Sequence, residues 1–225
     1  MNNQIPNSRP TAITRMRWVT LLLLTAALVG GGRMALGATI AGTPHDLSTK
    51  GWGTTDLCKF CHTPHLAQNV AGAPLWNHRT TVASYTLYSS ATFQGATTAG
   101  QPGPTSKLCL SCHDGTVAID SFANGGVLQT GTHFMTSTNL VGGGATPSLA
   151  GDHPIAFTYD AALASADKGL VSPSSASYVD TAGTVPLYAS KMECASCHGS
   201  HDNTYGKFLR ISNAGSALCL KCHIK

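Results

Sequence analysis

The chain has 225 residues, of which 14 are Lys or Arg and 10 are Asp or Glu, giving a formal net charge of +4 at pH 7. Four of the basic residues and none of the acidic ones lie in the first 38 positions, so the remainder carries ten charges of each sign. This balance excludes the strongly basic surface that nucleic-acid binding requires.

Residues 1–38 have the pattern of a secretory signal peptide that is cleaved from the mature protein. Three arginines precede an apolar stretch at residues 18–29, and small residues at 35–38 form a cleavage site. The apolar stretch is about 12 residues, shorter than the roughly 20 that span a bilayer, although an uncleaved N-terminal anchor is the alternative. We therefore expect an exported protein, extracellular or at the cell surface or else periplasmic, with no membrane span after signal removal.

The remaining residues, 39–225, are expected to form a single domain with little regular structure. They are rich in Gly, Ala, Ser and Thr, and segments such as 94–106 and 141–150 have neither a helical nor a strand period. Their glycines and prolines indicate loops. Because loops of this length are unusual in a compact domain, the sequence predicts a mostly irregular chain with short α-helices and a non-protein interior.

All eight cysteines fall in four CxxC pairs, and a histidine directly follows each pair. The pairs are Cys58 and Cys61, Cys109 and Cys112, Cys194 and Cys197, and Cys219 and Cys222, followed by His62, His113, His198 and His223. Two thiols on one turn add to the vinyl groups of a porphyrin, and the adjacent histidine ligates its iron. The spacing predicts four covalently bound haem c groups with these histidines as proximal ligands.

Two other uses of CxxC pairs explain the pattern less well. Zinc sites do not require a histidine directly after each pair. A disulfide framework suits an exported protein but gives no reason for four repeats of CxxCH. With four haems, the chain is predicted to wrap around a core of four stacked c-type haems, and the haem-free chain should be unfolded.

The sixth coordination position of each iron separates an electron carrier from an enzyme, because an open haem can bind and reduce a substrate. Histidine is the commonest metal ligand in proteins, and six further histidines are available for four positions. They are His45, His65, His78, His133, His153 and His201.

His65 and His201 each follow a proximal histidine by three residues. Residues three apart on a helical turn project to the same side, so the two histidines of such a pair cannot clasp one iron. The short separation of the third and fourth motifs predicts that His201 serves the iron of His223, and by analogy His65 would serve that of His113. The irons of His62 and His198 are then left to the other four histidines.

Several segments resemble those of known multihaem cytochromes. They are CKFCHTPH at 58–65, APLWN at 73–77, CLSCHDG at 109–115, DHP at 152–154, ECASCHGSH at 193–201 and LCLKCH at 218–223. Their order is similar to that of the doubled-CxxCH cytochromes of the cytochrome c3-like group, particularly the OmcE-type filament-forming tetrahaem outer-surface cytochromes.

The resemblance implies two axial histidines at every haem and head-to-tail polymerisation into an extracellular filament, with some ligation crossing between subunits. It supports His45 and His153, besides His65 and His201, as the distal ligands, and it leaves His78 and His133 without that role. A histidine near the mature N-terminus could equally serve its own subunit or the next one.

The leading function is electron transfer by four bis-histidine haems in a filament subunit that passes electrons to redox proteins or extracellular acceptors. A monomeric periplasmic shuttle would use the same motifs. A multihaem reductase would need one five-coordinate haem, against which the spare histidines argue. We therefore expect an electron-transfer protein without catalytic residues, and no nucleic-acid partner.

Overall fold

Regular secondary structure is sparse and divided into short pieces. The computed structural model describes residues 40–144 and 147–225, and the expected signal peptide lies outside the described residues. Two antiparallel hairpins pair β1 (Gln68–Val70) with β2 (Ala73–Trp76) and β3 (Ala123–Asn124) with β4 (Val127–Leu128). The α-helices are α1 (Pro104–His113), α2 (Ala161–Asp167) and α3 (Cys194–Cys197).

Single 3-10 turns occur between these elements. They cover Gln94–Thr98, Ser137–Asn139, Val141–Gly144, Ala214–Ser216 and Cys219–Lys221. This low content of regular structure confirms the irregular fold predicted from composition. Within the described ranges, no helix is long and apolar enough to cross a membrane.

The segment 94–106 is predicted to be a loop, but part of it has regular structure. It contains one 3-10 turn, and α1 begins within it at Pro104. Proline suits this position because its fixed φ is already helical and the first turn needs no backbone N–H from it. The helix that starts here carries the second haem motif.

The hairpin of β3 and β4 turns through two glycines with positive φ, 62° at Gly125 and 80° at Gly126. This conformation at both central positions is the one that two-residue hairpin turns favour, and it explains the Asn-Gly-Gly-Val sequence. A Cβ at Gly126 would also clash with the side chain of Leu66, so the turn packs closely against the segment that follows the first haem motif.

A side-chain core lies in the C-terminal half of the chain. Its buried members are Phe157, Tyr159, Val179, Val185, Leu187 and Met192. Backbone hydrogen bonds join the segments that contribute them, including Ala156 N to Met192 O at 2.7 Å and Val179 N to Val185 O at 3.0 Å. The interior therefore includes a protein-built part that the composition did not predict.

This core is connected directly to the fourth haem motif. Leu218 and Cys222 pack against it, and the Tyr159 hydroxyl donates to the backbone oxygens of Val171 at 2.7 Å and Cys222 at 3.2 Å. A smaller cluster of Tyr85, Leu110 and Leu149 packs on one face of α1.

We expect Asp160→Ala to lower the free energy of unfolding by about 1 kcal/mol, the usual cost of losing a helix N-cap. The Asp160 carboxylate accepts a hydrogen bond from Leu163 N at 2.8 Å at the start of α2. Chemical denaturation of the haem-loaded protein measures the change. Asp160→Asn preserves a capping oxygen and should retain most of the stability that Asp160→Ala loses. Equal losses in both variants would contradict the capping role.

Candidate haem-binding sites

Each CxxCH motif forms a single turn that puts its histidine next to its cysteines. The second motif lies at the end of α1. In the other three, the histidine N–H donates to the carbonyl of the first cysteine: His62 to Cys58 at 2.8 Å, His198 to Cys194 at 3.1 Å and His223 to Cys219 at 2.9 Å. All eight cysteines are free thiols, as covalent attachment to a porphyrin requires.

Backbone carbonyls fix the rings of three motif histidines. The Nδ1 atoms of His62, His113 and His198 lie 2.9, 2.8 and 2.9 Å from the carbonyl oxygens of Pro74, Asn139 and Lys207. A carbonyl oxygen only accepts hydrogen bonds, so Nδ1 carries the proton and the lone pair of Nε2 is left for a metal.

Three motif histidines face a histidine from a distant part of the chain. The ring centroids are 6.0 Å apart for His62 and His201, 6.3 Å for His113 and His45, and 6.3 Å for His223 and His153. His45 and His153 also have Nδ1 near backbone oxygens, those of Ser200 at 3.4 Å and Pro154 at 3.0 Å. Partial burial lowers the pKa of His45, which favours the neutral, ligating form of its ring.

These separations fit a metal between the two rings. Imidazoles on opposite sides of one metal have ring centres about 6 Å apart. Each side contributes a metal–nitrogen bond of about 2 Å and a further distance of about 1 Å from that nitrogen to the ring centre. Among residues 40–144 and 147–225, the buried indole Nε1 of Trp76 has no hydrogen-bond partner, and its ring meets that of His62 edge-on at a centroid distance of 6.1 Å. A propionate of haem is an acceptor of the kind that this donor lacks.

The observed pairs differ from those predicted by chain separation. His201 lies opposite His62 rather than His223, and the ring beside His113 is that of His45 rather than His65. Long-range folding therefore outweighs proximity along the chain. His65 and His198 are both exposed, and across residues 40–144 and 147–225 neither makes a ring contact of the same kind with another histidine.

The two remaining histidines have other partners. His78 is buried, with Nδ1 2.8 Å from the Arg79 oxygen and Nε2 3.1 Å from the oxygens of Ala118 and Ile119. Its two ring nitrogens therefore both point at acceptors.

His133 forms an ion-pair contact of 2.7 Å with Asp120 and stacks on Trp52 at a centroid distance of 4.5 Å. It thereby links the segment at Trp52 to the loop that follows β4.

The cysteines of successive motifs lie near one another. Burial, and next the neighbouring Cys61, raises the pKa of Cys112 to about 12. Burial, and next Cys197, raises the pKa of Cys222 to about 11. The interaction with the thiol of Cys194 raises the pKa of Cys109. Each of the four motifs therefore has a cysteine close enough to a cysteine of another motif for one to influence the pKa of the other.

Several residues outside the haem motifs position the ligands. Phe208 stacks on His45 with ring centroids 4.1 Å apart and planes 14° from parallel. Asn77 is fully buried; its backbone N–H donates to Cys61 O at 2.8 Å and its side chain donates to Ala123 O at 3.1 Å. Sequence analysis did not identify Phe208, which follows the third motif at no recognisable spacing.

Asp114 fixes the end of α1 directly after His113. Its buried carboxylate accepts hydrogen bonds from the hydroxyls of Tyr85 at 2.5 Å and Thr81 at 2.9 Å, and from Thr116 N at 2.7 Å. The Thr116 hydroxyl donates a fourth hydrogen bond at 2.8 Å, and contacts of this kind fix a backbone turn because breaking one leaves a buried polar group unpaired.

One comparison with known proteins covers the last two haem motifs. Residues 188–225 match the family model of the doubled CXXCH motif. None of the curated proteins compared with the chain matches it. The doubled motif indicates covalently bound c-type haem and electron transfer.

Proposed function

We propose that the chain is an exported tetrahaem electron-transfer protein in which every haem has two axial histidines. The observation that carries this proposal is the set of three histidine pairs with ring centroids 6.0 to 6.3 Å apart, each containing one CxxCH histidine. When bound, haem supplies a one-electron couple at its iron. The chain's residues hold it covalently and close both axial positions, which favours electron transfer over substrate binding.

For the fourth haem we propose His65 opposite His198. His201, three residues after His198, lies against His62, and His65 is three residues after His62. A reciprocal arrangement of the two turns would bring His65 to His198. The His198 ring is already oriented for ligation through Nδ1 and the Lys207 oxygen.

We also propose that the subunits assemble into an extracellular filament of the OmcE-type. The support is the order of the resembling segments together with exposed apolar side chains at the last haem motif, where Leu220 is 45% and Ile224 58% exposed. A head-to-tail contact at this end would bury them. Because His45 lies opposite His113 of its own chain, the proposed filament contact does not require His45 as a ligand for a haem of the neighbouring subunit.

Three measurements test the proposal. The protein purified from culture supernatant should contain four covalently bound haems per chain, and the oxidised protein should be low-spin throughout in electron paramagnetic resonance. Electron microscopy of the same sample should show haem-containing fibres. A haem content below four would contradict the tetrahaem assignment, and purely monomeric periplasmic protein would replace the filament by a soluble shuttle.

A reductase is the second candidate function, because His198 has no facing imidazole within the described residues. An open axial position at this haem would allow a small substrate to bind. One high-spin haem in the wild-type protein that shifts on addition of nitrite or hydroxylamine would favour it over the electron carrier.

A further inference from the structure

The carboxylate of Glu193 joins the N-termini of two helices that carry haem motifs. Glu193 is 2% exposed and directly precedes Cys194. Its oxygens accept hydrogen bonds from Gly103 N, at 3.1 and 3.3 Å, and from the hydroxyl of Ser106. Gly103 and Ser106 lie 90 and 87 positions earlier in the chain, at the start of α1.

The contacts between the two helices are reciprocal. The Ser106 hydroxyl, which donates to Glu193, also accepts from Cys194 N at 2.9 Å. Within α3, the Ser196 hydroxyl accepts from Glu193 N at 3.0 Å, and the Ser196 N–H donates to the backbone oxygen of Glu193 at 2.9 Å. The carboxylate of Glu193 therefore caps α1, while the hydroxyls of Ser106 and Ser196 accept from N–H groups at the start of α3.

The same contact determines which haem attachment points meet. Helix α1 carries Cys109 and helix α3 begins with Cys194, whose backbone N–H donates to the Ser106 hydroxyl of α1 at 2.9 Å. The junction between the second and third motifs is thus located beside the hydrogen bonds of Glu193.

A carboxylate is well suited to this position. It offers two acceptor oxygens to the two donors at the start of α1, and negative charge is favourable at helix N-termini. The packing at this carboxylate is tight at Gly103, where a Cβ would lie 2.8 Å from a carboxylate oxygen of Glu193. A buried carboxylate without these donors would be strongly unfavourable.

We propose that Glu193 is a positioning residue that sets the distance and orientation between the second and third haems, and so the coupling between them. This inference rests on the proposed attachment of haem at both motifs. Glu193 does not touch the reacting metal; it acts through the two helix N-termini that it holds together.

The test compares Glu193→Ala, Glu193→Gln and Ser106→Ala in the haem-loaded full chain. Circular dichroism in the Soret band detects coupling between neighbouring haems as a two-signed couplet, and haem content is measured on the same samples. We expect Glu193→Ala to keep four haems and to lose couplet amplitude. Glu193→Gln, which retains one acceptor oxygen and the side-chain volume, should recover part of the couplet amplitude. The amplitude of Ser106→Ala should lie between those of Glu193→Ala and the wild-type protein.

Asp160→Ala is the matched control, because it removes a helix-capping carboxylate from α2, which carries no haem motif. It should lower stability without changing the couplet. An unchanged couplet in Glu193→Ala at full haem content would overturn the positioning role. If Glu193→Ala does not accumulate, a wild-type couplet in both Glu193→Gln and Ser106→Ala would overturn the positioning role. Wild-type protein without covalently bound haem would instead overturn the proposed function.

Discussion

Replacement of His201 by alanine is expected to make one of the four haems high-spin while all four stay covalently attached. The cysteines hold the haem, whereas the axial position opposite His62 is lost with the ring that lies 6.0 Å from it. Electron paramagnetic resonance of the oxidised protein would show the high-spin signal. His133→Ala is the matched control, because His133 is occupied by Asp120 and Trp52 and its loss should leave every haem low-spin.

A second step identifies which haem has lost its ligand. In a chain that also carries Cys58→Ala, Cys61→Ala and His62→Ala, the first haem is absent and His201→Ala should produce no high-spin signal. Persistence of the signal in that background would place His201 at another haem, such as that of His223. A low-spin spectrum in His201→Ala alone would show that His201 is not an axial ligand.

Phe157→Ala should have the largest effect on stability, a loss of roughly 3–5 kcal/mol in the free energy of unfolding. Phe157 is 5% exposed, meets Phe93 edge-on at 5.2 Å and packs so closely on Gly95 that a Cβ there would lie 2.8 Å from its ring. Removing the ring leaves a cavity that these neighbours cannot fill. Chemical denaturation of the haem-loaded protein measures the loss.

Val82→Ala is the matched control for this core substitution. Val82 is 94% exposed, and surface changes of this kind usually stay within about 0.5 kcal/mol. If Phe157→Ala had no larger effect than Val82→Ala, the side-chain core would contribute little and haem alone would hold the C-terminal half together.

The local part of the site could be predicted from the sequence, because the CxxCH turn is set by residues adjacent in the chain. The pairing of distal histidines could not. His45 and Ser200, which contact each other, are 155 positions apart, and the fold that joins them depends on Phe208 and other contacts with no recognisable spacing. Proximity along the chain therefore predicted the iron of His223 as the partner of His201, whereas the ring that His201 faces is that of His62.

The side-chain core escaped prediction for a similar reason. Phe157, Val179, Val185 and Met192 come from irregular segments in which apolar residues follow neither a helical nor a strand period. Such residues can still share an interior when backbone hydrogen bonds between loops replace those of regular elements, as between Ala156 and Met192. Composition indicated correctly that regular elements would be few, but it carried no information on which loops meet.

The junction between α1 and α3 also bears on the order in which the protein is made. Before haem is attached, docking of α1 and α3 brings together two helices that each carry free thiols, because Cys194 N donates to Ser106 of α1 at 2.9 Å and neither Cys109 nor Cys194 is in a disulfide. Oxidation at that stage would join them and disable two attachment sites in a single event. Maturation therefore has to load at least one of these motifs before the helices close on each other, or keep both thiols reduced until it does.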